Sequence, residues 1–177
     1  MGRLSLPEYA GQLYAWPGVE PLLLELQDAA GQDVLLLLTA CWLGVRGSPA
    51  DGHHWQLLQA QQAPWRQQVI EPLRQVRRAL TGNHAAAALR AQVKECELAA
   101  EWHQLAQLEH YCEALEVGKV PPDAAVAAHL ALCAGAVEAA ERAALTQLVL
   151  AREEAVAAGL AATAGVTLPG PAQPPPR

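Results

Sequence analysis

Apolar residues recur at helical spacing along nearly the whole chain, and no stretch reads as a convincing strand. Ser5-Leu6-Pro7-Glu8 has the spacing of a capping box, with proline early in the first turn, so a short helix should run to about Ala15. Pro17-Gly18 breaks it. A second helix is predicted over Val19 to Ala30, with Val19, Leu22, Leu23 and Leu26 on one face and Gly31 as its stop. Asp33 then caps a third, Val34 to Val45, which is apolar nearly all round. Such a helix has no side to give to water, so it is expected to be buried as the central element.

Beyond the loop at 47–52, the pattern predicts a short helix near His53 to Gln61 and a longer amphipathic one over Pro64 to Leu80. In the latter, Trp65, Val69, Leu73, Val76 and Leu80 form an apolar stripe, and Pro72 predicts a kink because it removes a backbone donor. His84 to Glu116 reads as one long helix with Leu98, Trp102, Leu105, Leu108, Cys112 and Leu115 toward the core. Pro122 to about Ala158 reads as another, bent at Gly135, with Val126, Leu130, Cys133 and Val137 inward. The short connection between them favours antiparallel pairing.

The fold class expected is therefore all-α: a compact helical cluster (residues 5–80) around a buried central helix, plus a long antiparallel helical hairpin (84–158). Both belong to a single domain over residues 1–160. A Pro/Gly-rich tail over 161–177 is expected to be disordered.

Composition sharpens this picture. Hydrophobic residues make up 52% of 177 and charged residues 17%, enough apolar surface for a sizeable core. Abundant alanine favours helix and close helix packing, and phenylalanine is absent. A net charge of −6 argues against nucleic acid as the main partner, since neutralising phosphates takes a basic face. The longest apolar run, Val34 to Val45 with only Thr39 interrupting it, is shorter than the roughly 20 residues a bilayer span requires, so no membrane association is expected. Four cysteines without a CxxC pair, and an N-terminus unlike a secretion signal, fit a reduced cytoplasmic protein.

Particular residues carry a resemblance. They are Tyr14 with Pro17-Gly18-Val19, Leu26-Gln27-Asp28, Gly31 with Asp33-Val34, and Trp42-Leu43-Gly44. Further on come Pro64-Trp65-Arg66, Val69, Pro72-Leu73-Arg74, Val76-Arg77-Arg78 and Leu80, with a weaker match over Lys94 to Glu109. Through these the chain resembles the proteobacterial DUF2390 family of uncharacterised proteins over about residues 5–117. The resemblance implies an all-helical cytoplasmic protein and supplies no reaction, substrate or cofactor. Leu35 departs from it, since a polar residue, often Asn, is expected after Asp33-Val34.

Four constellations could carry function. Asp28 and Asp33, with Gln27, flank a glycine turn; they could hold a cation or a basic partner, though an N-cap role explains Asp33. Arg66, Arg74, Arg77 and Arg78 give one helix a net charge of +3 against Glu71 alone. Arg66 and Arg77, eleven apart, come onto nearly the same face. These guanidiniums could hold an anion or an acidic surface, or pair internally with Asp28, Asp33, Glu20 or Glu25. Tyr14 and Trp16, with Tyr9, could rim a groove, although core packing also accounts for the tryptophans. Cys96, His103 and His110 align at heptad steps of about 10.5 Å, too far apart to reach one ion easily.

No Walker loop, nucleophile elbow, dinucleotide fingerprint or zinc-protease signature is present. No catalytic residue, metal or cofactor is expected. The leading expectation is a small binding or adaptor protein acting through another protein or through self-association. The residues expected at its surface are Tyr14, Trp16, Gln27, Asp28, Asp33, Arg66, Arg74 and Arg77. The alternative is a protein or enzyme that takes a small anionic ligand in an Arg-lined cleft.

Overall fold

The computed structural model describes residues 4–135 and 137–159, so the tail expected at 161–177 lies outside the described residues. The described residues are all-α. Helix α1 (Leu6–Tyr14) opens with the expected capping box, in which Ser5 N–H donates to Glu8 Oε2 at 3.0 Å and Glu8 N–H donates to Ser5 Oγ at 3.4 Å. Helix α2 (Val19–Ala30) ends at Gly31, whose φ of +62° suits a residue without Cβ. Helix α3 (Val34–Val45) starts on Asp33, whose Oδ1 accepts from the N–H groups of Leu35 (2.9 Å) and Leu36 (3.4 Å).

Ten of the twelve residues of α3 are buried. Burial on all sides needs neighbours on all sides, and α1, α2, α6 (Ala87–Cys112), α7 (Pro122–Cys133) and α8 (Ala139–Ala157) supply them. The tightest contact is with α7, which runs antiparallel along α3. A Cβ placed on Gly44 would lie 2.5 Å from the Cα of Val126, so the two backbones touch where this glycine stands.

Between α3 and α6 the chain forms one continuous rod rather than two helices. Helix α4 (Gly52–Trp65) runs straight through Pro64, passes into a π-turn at Arg66–Ile70, and continues as α5 (Glu71–Ala79). The kink expected at Pro72 takes the form of this wide turn, in which Glu71 N–H reaches back to Arg66 O. A proline ring collides with the carbonyl four residues earlier in a regular α-turn, and the extra residue just before Pro72 relieves that collision. The insertion also rotates everything after it by about 100° relative to α4. The predicted stripe is therefore only partly inward: Trp65, Val69 and Leu73 are half-buried, Val76 is 49% exposed, and Ile70 takes the buried position.

The hairpin expected over 84–158 takes a different form. His84–Ala86 is a 3-10 turn leading into α6, and α6 pairs antiparallel with α5. The segment expected as one helix bent at Gly135 divides into α7, ending at Cys133, and α8, starting at Ala139, and Arg142 Nη1 donates to Ala134 O at 3.3 Å and also to Val137 O. The physical reason is α3: its apolar far side draws α7 onto it, and α8 then folds back across α7, α2 and α3.

Two buried polar contacts lock this arrangement. Trp55 Nε1–H donates to His129 Nδ1 at 3.0 Å. Indole nitrogen can only donate, so His129 must be neutral with its proton on Nε2, which donates to Ser48 O at 3.0 Å. Arg152, 3% exposed, reaches Gln12 Oε1 at 2.6 Å and lies over the Tyr9 ring, tying α8 to α1.

Gly44→Ala should cost about 1–3 kcal/mol of unfolding free energy in a denaturant titration, because the α3–α7 backbones must separate. The His129 imidazole is held below its ordinary value by burial, with the nearby His54 adding to the depression against the Ser48 carbonyl. The unfolded chain takes that proton near pH 6.5, so stability is full above that value and declines as pH falls toward the folded value. Denaturation midpoints measured from pH 8 to pH 5 should show this decline in the natural protein and a flatter profile in His129→Gln.

Candidate functional site

The arginines of the rod do converge, and each meets a carboxylate. Arg66, at the π-turn, places Nη1 2.9 Å from Asp33 Oδ2 and donates from Nε to Glu71 Oε1 at 2.9 Å. Asp33 thus caps α3 with one oxygen and holds α4's continuation with the other. Arg74 donates from Nε to Glu97 Oε1 (3.0 Å) and from Nη2 to Glu101 Oε1 (2.7 Å). Arg77 engages Glu97 through Nε and Nη2. Arg78 reaches Asp28 Oδ1 at 3.2 Å in a pair that is largely exposed on both sides. Four guanidiniums therefore face five carboxylates (Asp28, Asp33, Glu71, Glu97 and Glu101), and the network is net negative by one.

Internal pairing is thus what the arginines do, with Asp28 and Asp33 as anticipated. Glu97 and Glu101 replace Glu20 and Glu25. The apolar stripe of α6 does not point to these two. Their signal is present: they stand four apart on α6, as Arg74 and Arg77 stand three apart on the preceding antiparallel helix, which aligns the two sets. Glu97 is 5% exposed. Burial pushes its carboxyl up, and the guanidiniums of Arg77 and Arg74 outweigh that and hold it below the ordinary value. Glu101 shifts the other way. Burial raises it, Arg74 pulls down, and the nearby Glu97 and Asp33 keep the net shift upward.

Two spaces open onto the network. An inner gap of about 10 Å³, lined by Gln27, Asp33, Leu35, Arg66, Arg74 and Glu101 among others, has room for about one water. Leu35, where the sequence departs from the expected polar residue, closes one wall of this gap. Outside it lies an open groove of about 260 Å³ between α2 and α5, lined by Gln27, Asp28, Arg66, Glu71, Arg74, Gln75 and Arg78. Every lining side chain is polar.

Of the residues predicted at the site, Gln27, Asp28, Asp33, Arg66 and Arg74 meet here. Tyr14 stands at the margin: it is half-buried, and Glu20, Glu101 and Arg74 lie within electrostatic reach. Burial first, then Glu20 and Glu101, push its phenol up to about 12. Trp16 packs half-buried against the core instead of lining the groove. Arg77 turns to Glu97 and does not line it either, because the π-turn separates its phase from that of Arg66. The alignment of Cys96, His103 and His110 disperses: Cys96 is exposed, His103 stacks on Trp65 with centroids 4.6 Å apart, and His110 sits 3.4 Å from Glu113. Among the described residues no three His, Cys, Asp or Glu side chains converge as metal ligands. No helix of the described residues is long and apolar enough to cross a membrane.

The network's members should differ in weight. Arg74→Met leaves Glu97 and Glu101 short of a partner and should cost about 2 kcal/mol, less than the roughly 3–5 kcal/mol of a fully buried pair. Arg78→Ala breaks only an exposed pair and should cost less than about 0.5 kcal/mol. Chemical denaturation of the two variants side by side checks the contrast, and equal losses would contradict it.

Comparison with curated proteins and with solved structures gave no match. One family profile does match, over residues 5–108, which takes in α1 to α5, the groove and most of α6. The chain belongs to DUF2390, a family of proteins of unknown function.

Proposed function

We propose that this chain is a binding protein that acts through another protein, and that its contact surface is the groove between α2 and α5 together with the α5–α6 arm beside it. The observation that carries this reading is the state of the arm. From Glu71 to Cys96, across α5, the connecting turn and the first turns of α6, no side chain is buried. Two paired helices that leave Val76 and Leu89 about half exposed hold little of their own apolar surface away from water. A surface of that kind gains by being covered. The arm borders a groove rich in hydrogen-bonding groups, which suits the polar rim of a protein interface.

The reading in which the arginines hold a small anion loses support. A guanidinium already bonded to carboxylates offers a new anion little, and the network carries one negative charge more than positive. The groove is open and without an apolar floor, whereas small-molecule sites are concave and mostly apolar.

An affinity pull-down with mass spectrometry, run with the natural protein and with an Arg78→Glu/Lys94→Glu variant, tests the surface. Both positions are exposed, so the variant should fold, and loss of the captured partners is the expected result. Recovery of the same partners by both proteins would sink the proposal.

A further inference from the structure

Which protein the cleft takes can be argued from its two walls. The arm, residues 71–96, carries five cations against two carboxylates and is net +3 in a chain of −6, so the remainder is −9. Arg74 and Arg77 are taken up by Glu97 and Glu101. Lys94 is exposed, Arg78 meets Asp28 only in a largely exposed pair, and Arg90 is half-buried. Arg74 and Arg78, one turn apart, both line the groove. Arg90 and Lys94 precede Glu97 and Glu101 at steps of four, three and four, which puts them on the side of α6 that carries the inner gap, further along the arm. Among the described residues nothing accepts from the shielded Arg90 Nε–H.

The opposite wall is acidic. Helix α2 contains Glu20, Glu25 and Asp28 and no lysine or arginine, and Leu24, 40% exposed, stands among them. Asp28 on α2 and Arg74 and Arg78 on α5 line the groove itself, and the further acids of α2 and cations of the arm extend the two signs on either side of it.

That pairing is self-complementary. A two-fold axis through the groove sets the basic wall of one copy on the acidic wall of the other, twice over, which is the requirement of an isologous interface. We infer that the cleft between α2 and the α5–α6 arm is where a second copy of this chain docks, each arm lying on the other copy's α2. The inference rests on the proposed reading of this cleft as a protein-binding surface. It accounts for an arm with no buried side chain, and Leu24 supplies an apolar contact within a largely ionic interface.

Sedimentation velocity from about 1 µM to about 1 mM, a range that brackets ordinary weak to moderate association, tests it. The natural protein should dimerise, with the dissociation constant rising at least tenfold between low and high salt, since exposed ion pairs are screened. Two charge-reversed variants then decide the geometry. Arg78→Glu/Lys94→Glu makes both walls acidic, and Glu20→Lys/Glu25→Lys makes both basic. Each alone should be monomeric, and an equimolar mixture should form a heterodimer, because reversed arm meets reversed α2 and natural arm meets natural α2. Circular dichroism checks that both fold, and Leu57→Glu, at an exposed apolar position on α4 away from the cleft, should leave the natural dimer unchanged. A monomer at every concentration, a dimer insensitive to either reversal, or a mixture that stays monomeric overturns the inference. A monomeric natural protein whose pull-down partners are still lost in the arm variant would overturn self-docking alone and leave the protein-binding reading standing.

Discussion

Burial of α3 on every side is the constraint from which the rest of this fold follows. Its ten buried residues include the run Leu35 to Leu38 and Trp42, and no polar side remains for water. A helix of that kind is stable only when enclosed, and enclosure requires more neighbours than the N-terminal segment can provide. Helices α1 and α2 cover part of it. The remainder recruits α6 from mid-chain and α7 and α8 from the C-terminal part. The family match ends at residue 108, yet α7, outside it, makes the closest approach to α3 at Gly44. The C-terminal helices are therefore part of the core in this chain.

Against that apolar centre the ionic network acts as bracing at the periphery. Its pairs differ in shielding, from the nearly buried Arg74–Glu97 to the exposed Arg78–Asp28, and so in weight. Their arrangement matters more than their sum. Asp33 joins the start of α3 to the π-turn, and Glu97 with Glu101 joins α6 to α5, so one chain of charges ties the rod to two neighbouring elements. The charges that are not consumed in bracing are those that face outward along the arm and α2.

Where local chemistry decides a feature, the sequence sufficed to read it. The Ser5 box, the Gly31 stop and the Asp33 cap each involve residues within about one and a half helical turns of one another, and all three stand where their patterns put them. Gln27, Asp28, Asp33, Arg66 and Arg74 were likewise recognisable as a set, since acidic and basic side chains on neighbouring helices seek each other. What escaped reading depends on distant partners. Pro64 looks like a helix start, but α4 passes through it because the rod packs along α6. The bend expected at Gly135 is a full break between Cys133 and Ala139, and how far it turns depends on α7 being committed to α3. The destination of Arg77 depended on the π-turn, which has no compact sequence code.

That π-turn has one further consequence. It adds a residue to a rod whose two halves face different tasks, with Trp55 and Leu58 directed into the core before it and Arg74 and Arg77 directed at α6 after it. Because each residue advances a helix by about 100°, the length of the chain between Arg66 and Glu71 sets the direction in which the guanidiniums of α5 point. Loss of a single residue there would leave both halves helical and yet swing the cations off Glu97 and toward solvent. The charge pattern of the outer surface is in this sense a matter of counting residues, and a length change in this short segment would redraw it without altering a single charged side chain.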